Sequence, residues 1–333
     1  MPIPADMRAA VITQPGPPDV LGIERRPVPL PGPGEVLVRV RASALNRADV
    51  LQRAGRYPAP PGVPADIPGL EFAGEVALNG PGSSRWTVGA RVCGLVGGGA
   101  HAEYLVTHER AVAGVPDALE WTQAGAAPEA CITAHDALVA QASVRPGDTV
   151  LIHAVGSGVG LAAVQIARQL GATVFGTART VAKLEVAREL GLAQGVTPGE
   201  RGWVAAAVRE WTGGRGIDVV LDLVGGEYVR ETVPALATHG RLVLIGTLAG
   251  AESMLDLRYM LSRRLTVRGT VLRSRPLEER IVVTHAFERE VMPWLADGTV
   301  RMRVGATLPL ERIVDAHVLM ESNETTGKIA IGL

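Results

Sequence analysis

The segment from Thr149 to Thr177 constrains the fold more than any other part of the chain. An apolar run, Thr149-Val-Leu-Ile-His153, leads into the glycine-rich turn Ala154-Val-Gly-Ser-Gly-Val-Gly160. Apolar residues then surround most of the stretch from Val159 to Leu170, and a second apolar run covers Thr173 to Thr177. This order predicts a buried strand, a tight turn, a helix and a second parallel strand.

The same pattern of apolar strand candidates continues towards the C-terminus. Two further strand candidates, Ile217 to Val224 and Arg241 to Gly246, are nearly continuous apolar runs. Such runs are typical of a parallel sheet whose two faces are both covered by helices. The sequence therefore predicts an α/β domain with a doubly wound, Rossmann-type parallel sheet.

The first third of the chain has a different pattern. Short β-type runs at Glu35 to Arg41, Gly74 to Ala77 and Tyr104 to Val106 are separated by Gly and Pro, which predicts a β-rich domain. The stretch from Ala54 to Pro68 is dense in Pro and Gly and is expected to be an ordered loop without regular structure. After Trp121, Thr122 is expected to cap a short helix.

The alternation of strands and helices ends near Arg268. A charged amphipathic helix is predicted from Leu277 to Ala296, with strands at Met302 to Val304 and Lys328 to Ile331. We interpret this tail as a return to the first domain. The predicted domains are a β-rich N-terminal part over residues 1–125, the α/β domain over 126–268, and the returning tail over 269–333.

Charge and composition exclude several classes of partner. The 333 residues carry a net charge of -1, and no block of like charges indicates nucleic-acid binding. No apolar run is long enough to span a bilayer, and Met1 to Arg8 lacks the pattern of a signal peptide, so a cytoplasmic protein with a small-molecule partner is expected. The cysteines, Cys93 and Cys131, cannot build a multi-cysteine zinc site and are expected to be buried and inert.

The glycine-rich turn indicates a dinucleotide site. Glycines let backbone amides approach a pyrophosphate at the positive end of a helix. Gly156 and Gly158 fit the G-x-G-x-x-G spacing, whereas Leu161 occupies its third place. The predicted phosphate-binding residues are Gly156, Ser157, Gly158, Val159 and Gly160. The alternative is a tight strand-to-helix turn without a ligand.

The end of the second strand predicts the type of dinucleotide. NAD enzymes place an acid there against the ribose, whereas NADP enzymes place cations. This chain has Thr177-Ala-Arg-Thr180 and, one helical turn later, Lys183, with no Asp or Glu. Arg179 and Lys183 are therefore predicted to bind the 2'-phosphate of NADPH, with Thr177 and Thr180 beside them. The alternative is that the two cations are solvated residues at a helix start.

Several segments together resemble a known family. They are Ala42-Ser-Ala-Leu-Asn-Arg-Ala-Asp49, Pro68-Gly-Leu-Glu-Phe-Ala-Gly74, Ala102-Glu-Tyr104, Pro128-Glu-Ala-Cys-Ile-Thr-Ala134, Ile152 to Gly160 and Thr326-Gly-Lys-Ile329. With them the chain resembles the zinc-free quinone oxidoreductases of the medium-chain dehydrogenase/reductase superfamily, the group that contains zeta-crystallin. The Asn-Arg-Ala-Asp run, the Pro-rich loop after Tyr57 and Val271-Leu-Arg-Ser-Arg275 are most similar to the p53-inducible quinone oxidoreductase subgroup.

The resemblance implies a GroES-like catalytic domain beside the Rossmann domain, with NADPH and a quinone-like acceptor in a cleft between them. Family position assigns four more residues to the cofactor: Thr133, Gly246, Leu272 and Lys328, the last of which is otherwise a plain surface lysine. It also implies a homodimer or homotetramer joined through the strand near Arg264 to Val271. Pro198 stands where related reductases carry a Tyr that helps to hold the 2'-phosphate, a departure that shifts recognition towards Arg179.

No metal is expected. The positions that correspond to catalytic zinc ligands in the superfamily are Asn46, Leu70 and Glu129, and leucine cannot bind zinc. An acceptor that is already electrophilic needs only orientation and electrostatic help for hydride transfer. Asn46 and Tyr57 are the catalytic candidates for hydrogen bonding to the acceptor oxygen, and Asp49 is a third. Tyr57 is also a candidate cofactor-binding residue, in contact with the nicotinamide. Asn46 and Asp49 have the alternative role of bracing a turn.

Two other functions fit the same features. An enoyl-thioester or enone reductase would use the same fold, NADPH and a metal-free site. A non-catalytic, NADPH- and RNA-binding protein of the zeta-crystallin type is the alternative outside enzymes, although a near-neutral chain without basic clusters argues against RNA. The sequence does not determine the physiological acceptor, the number of electrons transferred in each step, or the degree of preference for NADPH over NADH.

Overall fold

A computed structural model describes residues 3–333. Met1 and Pro2 lie outside the described residues. They belong to the predicted 1–125 domain and to the Met1 to Arg8 segment that is expected not to be a signal peptide. The chain divides into two units, of which one contains the residues up to Ile132 together with Leu272–Leu333, and the other contains Thr133–Val271. No helix within residues 3–333 combines the length and apolar character needed to cross a membrane.

The N-terminal part of the first unit is mainly β-structure. Its elements are β1 (Asp6–Ile12), β2 (Leu21–Pro27), β3 (Glu35–Leu45), α1 (Arg47–Arg53), β4 (Glu71–Asn79), β5 (Arg91–Leu95), β6 (Tyr104–His108), β7 (Val112–Gly114), α2 (Trp121–Gly125) and the first part of α3 (Pro128–His135), a helix that continues into the second unit. No helix or strand is formed between Ala54 and Leu70, as expected from the Pro and Gly content of that loop.

The second unit contains the predicted alternation of strands and helices. After a π-helical segment at Asp136–Gln141 come β8 (Thr149–Ile152), α4 (Gly158–Gln169), β9 (Thr173–Thr177), α5 (Val181–Glu189), β10 (Gln194–Val196), α6 (Trp203–Thr212), β11 (Ile217–Asp222), α7 (Glu227–Thr232), β12 (Leu236–Leu244), α8 (Leu257–Arg263) and β13 (Thr266–Gly269).

The C-terminal part of the chain completes the first unit. It contains α9 (Leu277–Ala286), a π-helical turn (Phe287–Val291), α10 (Met292–Ala296), β14 (Val304–Pro309), α11 (Ile313–Ser322) and β15 (Lys328–Gly332). β15 pairs antiparallel with β3, and Ile329 lies opposite Leu45. This pairing carries Lys328 to the end of β3, where the first candidate catalytic residue, Asn46, follows.

The two large sheets differ in strand direction. Among the described residues, β10-β9-β8-β11-β12-β13 form a six-stranded sheet in which every pairing is parallel. β14-β15-β3-β4-β5-β7 form a mostly antiparallel sheet to which β6 adds by pairing with β3. The predicted fold class, a GroES-like β-rich domain with a doubly wound Rossmann domain, is therefore confirmed.

Both sheets are held by continuous apolar packing. In the first unit, Val36, Val38 and Phe72 are fully buried in a cluster between the strands. In the second unit, Leu151, Ile217 and Val220 lie in the hydrophobic core. Helices cover both faces of a doubly wound parallel sheet and so exclude water from its strands. Burial of such side chains stabilises each by about 1.5–3 kcal/mol relative to exposure, which explains why the apolar runs predicted the strands well.

Some predicted boundaries are wrong. Helix α2 begins at Trp121 with Glu120 as its N-cap residue, so Thr122 lies inside the helix rather than capping it. The strand predicted at Met302 to Val304 begins only at Val304. Both errors are of one or two residues, which is the range over which the ends of helices and strands vary.

Candidate active site

The glycine-rich turn is a tight connection between β8 and α4. Ser157 is the N-cap residue of α4, and its Oγ accepts a hydrogen bond from the Gly160 amide at 3.0 Å. A Cβ atom on Gly160 would lie 2.6 Å from the carbonyl oxygen of Val155, so only glycine fits there. The turn is thus built by backbone contacts that depend on the predicted glycine.

The start of α4 has the features of a pyrophosphate site. The first amides of a helix have no partner within it and carry partial positive charge, and this helix extends over 12 residues. Lys183 lies across the turn, since a Cβ on Gly156 would come within 2.8 Å of the Lys183 Cβ. A second cationic residue, Arg179, is exposed just after β9.

The two threonines at the end of β9 differ in exposure. Thr177 is buried, and its hydroxyl lies 2.9 Å from Nδ1 of His153. The other ring nitrogen of His153 lies 2.6 Å from the hydroxyl of Thr232 in α7. Burial lowers the pKa of His153 to about 4, so the ring is neutral near pH 7. Thr180, in contrast, is exposed and is the N-cap residue of α5.

The remaining residues predicted from family position fall in both units. Gly246 follows β12, where a Cβ would lie 2.7 Å from the carbonyl oxygen of Leu223. Thr133 is buried in α3, and Leu272 is buried at the start of the C-terminal part. Their contact with a cofactor stays a prediction.

A buried cation lies at the centre of the catalytic candidates in the first unit. The Lys328 ammonium is 2.6 Å from Oδ1 of Asn46, 2.6 Å from Oε1 of Glu71 and 3.2 Å from the Leu45 carbonyl oxygen. An ammonium has three N–H donors, so all three are used within the protein. Lys328 is only 4% exposed and Glu71 is fully buried, which rules out the alternative of a plain surface lysine.

The Asn46 amide is equally engaged. Its Nδ2 donates to the Ala44 carbonyl oxygen at 3.2 Å and to Oε1 of Glu71 at 2.9 Å, while its Oδ1 accepts from Lys328. The second carboxylate oxygen of Glu71 accepts the backbone amide of Glu129 at 2.8 Å. These bonds hold Asn46 in one orientation and leave its amide no unused donor.

This network is a poor place for a metal ion. A dication at Asn46 would face the Lys328 ammonium at close range in a buried environment, where like charges repel strongly. Leu70, at the second corresponding position, is 2% exposed and offers no donor atom. Within residues 3–333, no group of three or more His, Cys, Asp or Glu side chains has an arrangement suited to a metal.

Asp49 braces the backbone at the start of α1. One carboxylate oxygen accepts the amide of Asn46 at 2.7 Å, and the other accepts the amide of Gly69 at 2.9 Å. Asp49 is fully buried, and the nearest ring nitrogen of His101 lies 3.8 Å away. The structure thus shows the bracing role for Asp49, and its catalytic role stays a prediction.

Tyr57 lies in the Pro/Gly loop and is held by Arg273. The Arg273 guanidinium lies 4.9 Å from the centre of the Tyr57 ring and donates to the Tyr57 carbonyl oxygen at 3.1 Å. It also donates to the Gly97 carbonyl oxygen at 2.8 Å and to Oε1 of Gln52 at 2.5 Å. One side chain therefore ties together three segments of the first unit and fixes the loop beside Tyr57.

The electrostatics keep Tyr57 protonated. Its ring is half-buried, and burial raises the pKa of the phenol, an effect that the Arg273 charge opposes and the Glu129 charge reinforces. The phenol is thus a hydrogen-bond donor at neutral pH. Cys93 and Cys131 are fully buried, and burial raises both thiol pKa values, so neither is a nucleophile.

Comparison with known proteins identifies the family. Residues 158–296 match the family described as zinc-binding dehydrogenase, and residues 32–117 match the alcohol dehydrogenase GroES-like domain. A 2-haloacrylate reductase from a Burkholderia species is 34% identical over 331 residues, which are 97% of this chain and 98% of that protein. The chain belongs to the medium-chain dehydrogenase/reductase superfamily.

Further members resemble this medium-chain dehydrogenase/reductase over its whole length. Human quinone oxidoreductase is 28% identical over 329 residues, covering 98% of this chain and 97% of that protein. A mycobacterial protein whose structure was solved in complex with NADPH is 30% identical, with a TM-score of 0.87 and coverage of 98% of this chain and 100% of that one. The chain therefore has the fold of this family of oxidoreductases, which includes a domain that binds a nicotinamide dinucleotide.

Sequence reasoning missed three residues of this medium-chain dehydrogenase/reductase that the structure brings to its candidate sites. Glu71 lies in the Pro68 to Gly74 segment that carries the family resemblance, but its role depends on Lys328, 257 positions later in the chain. Arg273 lies in the Val271 to Arg275 run, whose similarity to the quinone oxidoreductase subgroup was the one sequence feature that could have indicated its importance. His153 directly follows β8, and nothing in the sequence separated it from the other histidines.

Proposed function

We propose that this protein is an NADPH-dependent reductase that transfers hydride, without a catalytic metal, to a quinone or a similar conjugated carbonyl compound. The observation that carries the proposal is the buried Lys328 ammonium, bound by Glu71 and by Asn46, a residue that by resemblance corresponds to a zinc ligand of zinc-dependent members. A zinc enzyme activates an unreactive alcohol or carbonyl through the metal. A site built around an internal cation instead requires an acceptor that is electrophilic by itself.

The second unit supplies the residues that would hold the cofactor. The amides at the start of α4 and the Ser157 hydroxyl suit a pyrophosphate, while Lys183 and Arg179 supply cations for a 2'-phosphate. The absence of Asp and Glu between Thr177 and Lys183 favours NADPH over NADH. When bound, NADPH supplies the hydride, and the protein supplies orientation and electrostatics.

In the first unit, Tyr57 is the residue best suited to act on the acceptor. Hydride transfer to a conjugated carbonyl places negative charge on the carbonyl oxygen, and a preorganised O–H donor stabilises that charge. Tyr57 is protonated, and Arg273 fixes its loop. Asn46, whose amide is fully engaged, acts by positioning Lys328 and Glu71. The balanced reaction takes one proton with the hydride and gives a hydroquinone and NADP⁺.

Reduction of a conjugated carbon–carbon double bond is the second candidate. The 2-haloacrylate reductase that aligns over nearly the whole chain is named for an alkene conjugated with a carboxyl group. Such an alkene and a quinone both accept hydride at a carbon whose electrons move to an oxygen. The same donor at Tyr57 serves either reaction, so the shape of the acceptor site decides between them.

An NADPH oxidation assay separates the two. Purified protein is supplied with NADPH and, in parallel, with an ortho-quinone, a para-quinone, a 2-haloacrylate and an enoyl thioester, and its metal content is measured. We expect turnover of a quinone without bound zinc and without loss of activity in EDTA. Turnover of only the acrylate or thioester would establish the second candidate. Stoichiometric zinc needed for activity would refute the metal-free proposal, and a salt-dependent RNA gel shift without turnover would refute both reductase functions.

Tyr57→Phe tests the donor role directly. We expect this variant to keep its affinity for NADPH and to lose about 100-fold in kcat, the typical loss when one donor to a developing oxyanion is removed. Tyr259→Phe is the matched control, since the Tyr259 hydroxyl donates to the Pro234 carbonyl oxygen within the other unit. Equal activity of the Tyr57 and Tyr259 variants would show that Tyr57 is not the donor.

We further propose a homodimer or homotetramer. β13 (Thr266–Gly269) is an edge strand of the six-stranded sheet and lies inside the apolar segment from Arg264 to Val271. An edge strand presents unpaired backbone groups that a second copy can complete. Size-exclusion chromatography with light scattering tests this, and a monomer at micromolar concentration would contradict it.

A further inference from the structure

Tyr228 lies in an aromatic cluster next to the strand end that selects the cofactor. It is the second residue of α7, which begins shortly after β11 ends. Its ring meets His153 edge-on, with 5.0 Å between centres and an interplanar angle of 87°, and Trp203 in the same way at 5.7 Å and 82°. Edge-to-face packing of this kind fixes the orientation of an aromatic ring.

His153 connects this cluster to β9. One ring nitrogen bonds to Thr177, the last residue of β9, and the other bonds to Thr232, the last residue of α7. The histidine therefore holds α7 beside the end of β9. Arg179 follows Thr177 by two residues, and its charge acts on the Tyr228 phenol.

The charges around Tyr228 agree with this placement. Burial raises the pKa of the half-buried phenol, the Arg179 charge lowers it, and the Asp222 carboxylate raises it. The opposing carboxylate is covered: Asp222 is fully buried, and one of its oxygens accepts the amides of Val224 and Gly225. Arg179 is the charged partner on the solvent side.

Both groups have unused donors. Among residues 3–333, the Arg179 guanidinium has no hydrogen bond or ion pair, and the Tyr228 hydroxyl has no hydrogen bond. A protonated phenol and a guanidinium close enough to influence it form a donor set that matches a phosphate monoester. The aromatic packing holds the phenol in place before any ligand binds, which reduces the entropy lost on binding.

We propose that Tyr228 and Arg179 together bind the 2'-phosphate of NADPH, and that Tyr228 takes the role for which related reductases use a tyrosine at the position of Pro198. This inference rests on the proposed function and extends it to a specificity residue on a different element, α7. Lys183, across the glycine-rich turn, remains a second cation for the same phosphate.

The test compares ligands that differ only in the 2'-phosphate. Binding of adenosine 2',5'-bisphosphate and of adenosine 5'-monophosphate is measured by titration calorimetry for the wild type, Tyr228→Phe, Arg179→Ala and Tyr259→Phe. We expect Tyr228→Phe to weaken the bisphosphate about 10-fold or more, the value of one hydrogen bond to a charged group, and to leave the monophosphate unchanged. Arg179→Ala should show the same selectivity, and Tyr259→Phe neither effect.

The outcomes separate this inference from the broader one. If the wild type prefers the bisphosphate and Tyr228→Phe keeps that preference in full, the role of Tyr228 is refuted while NADPH dependence stands. If the wild type binds both ligands equally, the proposed NADPH dependence is refuted, and the role of Tyr228 is refuted with it. Equal weakening of both ligands by Tyr228→Phe would show that the tyrosine supports the fold of the site rather than the phosphate. Loss of selectivity confined to the bisphosphate supports the proposal.

Discussion

Replacing Lys328 with Met tests the buried network most directly. The variant keeps a side chain of similar length but leaves the Glu71 carboxylate buried without its cation. Removing one partner of a buried ion pair costs about 3–5 kcal/mol. Glu71 keeps two hydrogen bonds, to Nδ2 of Asn46 and to the Glu129 amide, which places the expected loss near the lower limit, about 3 kcal/mol.

The assay is thermal and urea denaturation followed by circular dichroism. A loss of about 3 kcal/mol lowers the Tm of a domain of about 200 residues by roughly 6–12 °C. Lys183→Met is the matched control, because Lys183 is the other lysine of the chain and lies on the partly exposed start of α5. We expect the control to change stability by at most about 0.5 kcal/mol.

A double variant checks the physical reason. Adding Glu71→Gln to Lys328→Met removes the unpaired charge, so we expect the double variant to be more stable than the sum of the two single losses predicts, by about 1–3 kcal/mol. Additive losses, or a loss below about 1 kcal/mol for Lys328→Met alone, would refute the argument that an uncompensated buried charge is the dominant effect.

Three further predictions concern other parts of the two units. The folded-state pKa of His153, about 4, lies below its ordinary value of 6.5, so stability should fall as pH decreases from 6.5 towards 4; His153→Gln should reduce this slope by up to about 1.4 kcal/mol per pH unit in urea titrations, and an unchanged slope would contradict the assignment. Gly160→Ala should cost about 1–3 kcal/mol and weaken NADPH binding, since its Cβ meets the Val155 carbonyl oxygen; wild-type affinity in fluorescence titration would count against this. Arg273→Lys should lower kcat/KM about 10-fold without changing NADPH affinity, because lysine cannot make the three planar hydrogen bonds that hold the Tyr57 loop; kinetics and cofactor titration on the same preparation distinguish this from a general loss of fold.

The second unit, Thr133–Val271, was predictable from the sequence because the residues that indicate its strands, turn and helix lie close together in the chain. The strand, glycine turn and helix from Thr149 to Leu170 follow each other directly. Apolar residues indicate the buried strand and helix, and glycines indicate the tight turn between them. At Gly160 the requirement is steric and comes from Val155, five residues away. Contacts over such short separations are visible as patterns in the sequence.

The interactions of Tyr57 and Tyr228 were less predictable. Tyr57 stood out as the aromatic residue of a Pro/Gly loop, but its partner Arg273 lies far away in the sequence. No sequence pattern indicated Tyr228, since its neighbours His153, Trp203 and Arg179 come from three distant segments of the chain. Only strand order and helix packing bring them together.

The amino-acid sequence alone predicted the classes of the two domains, the position of the glycine turn and the cationic character of the strand end that we propose as the 2'-phosphate site. It did not determine that Lys328 is buried, because a lone lysine after a Thr-Gly turn has the same local pattern at a surface. The antiparallel pairing of β15 with β3 decided that point by placing the ammonium against Asn46 and Glu71. Local propensities act over a few residues, whereas a buried charge is stable only where distant segments supply every one of its partners.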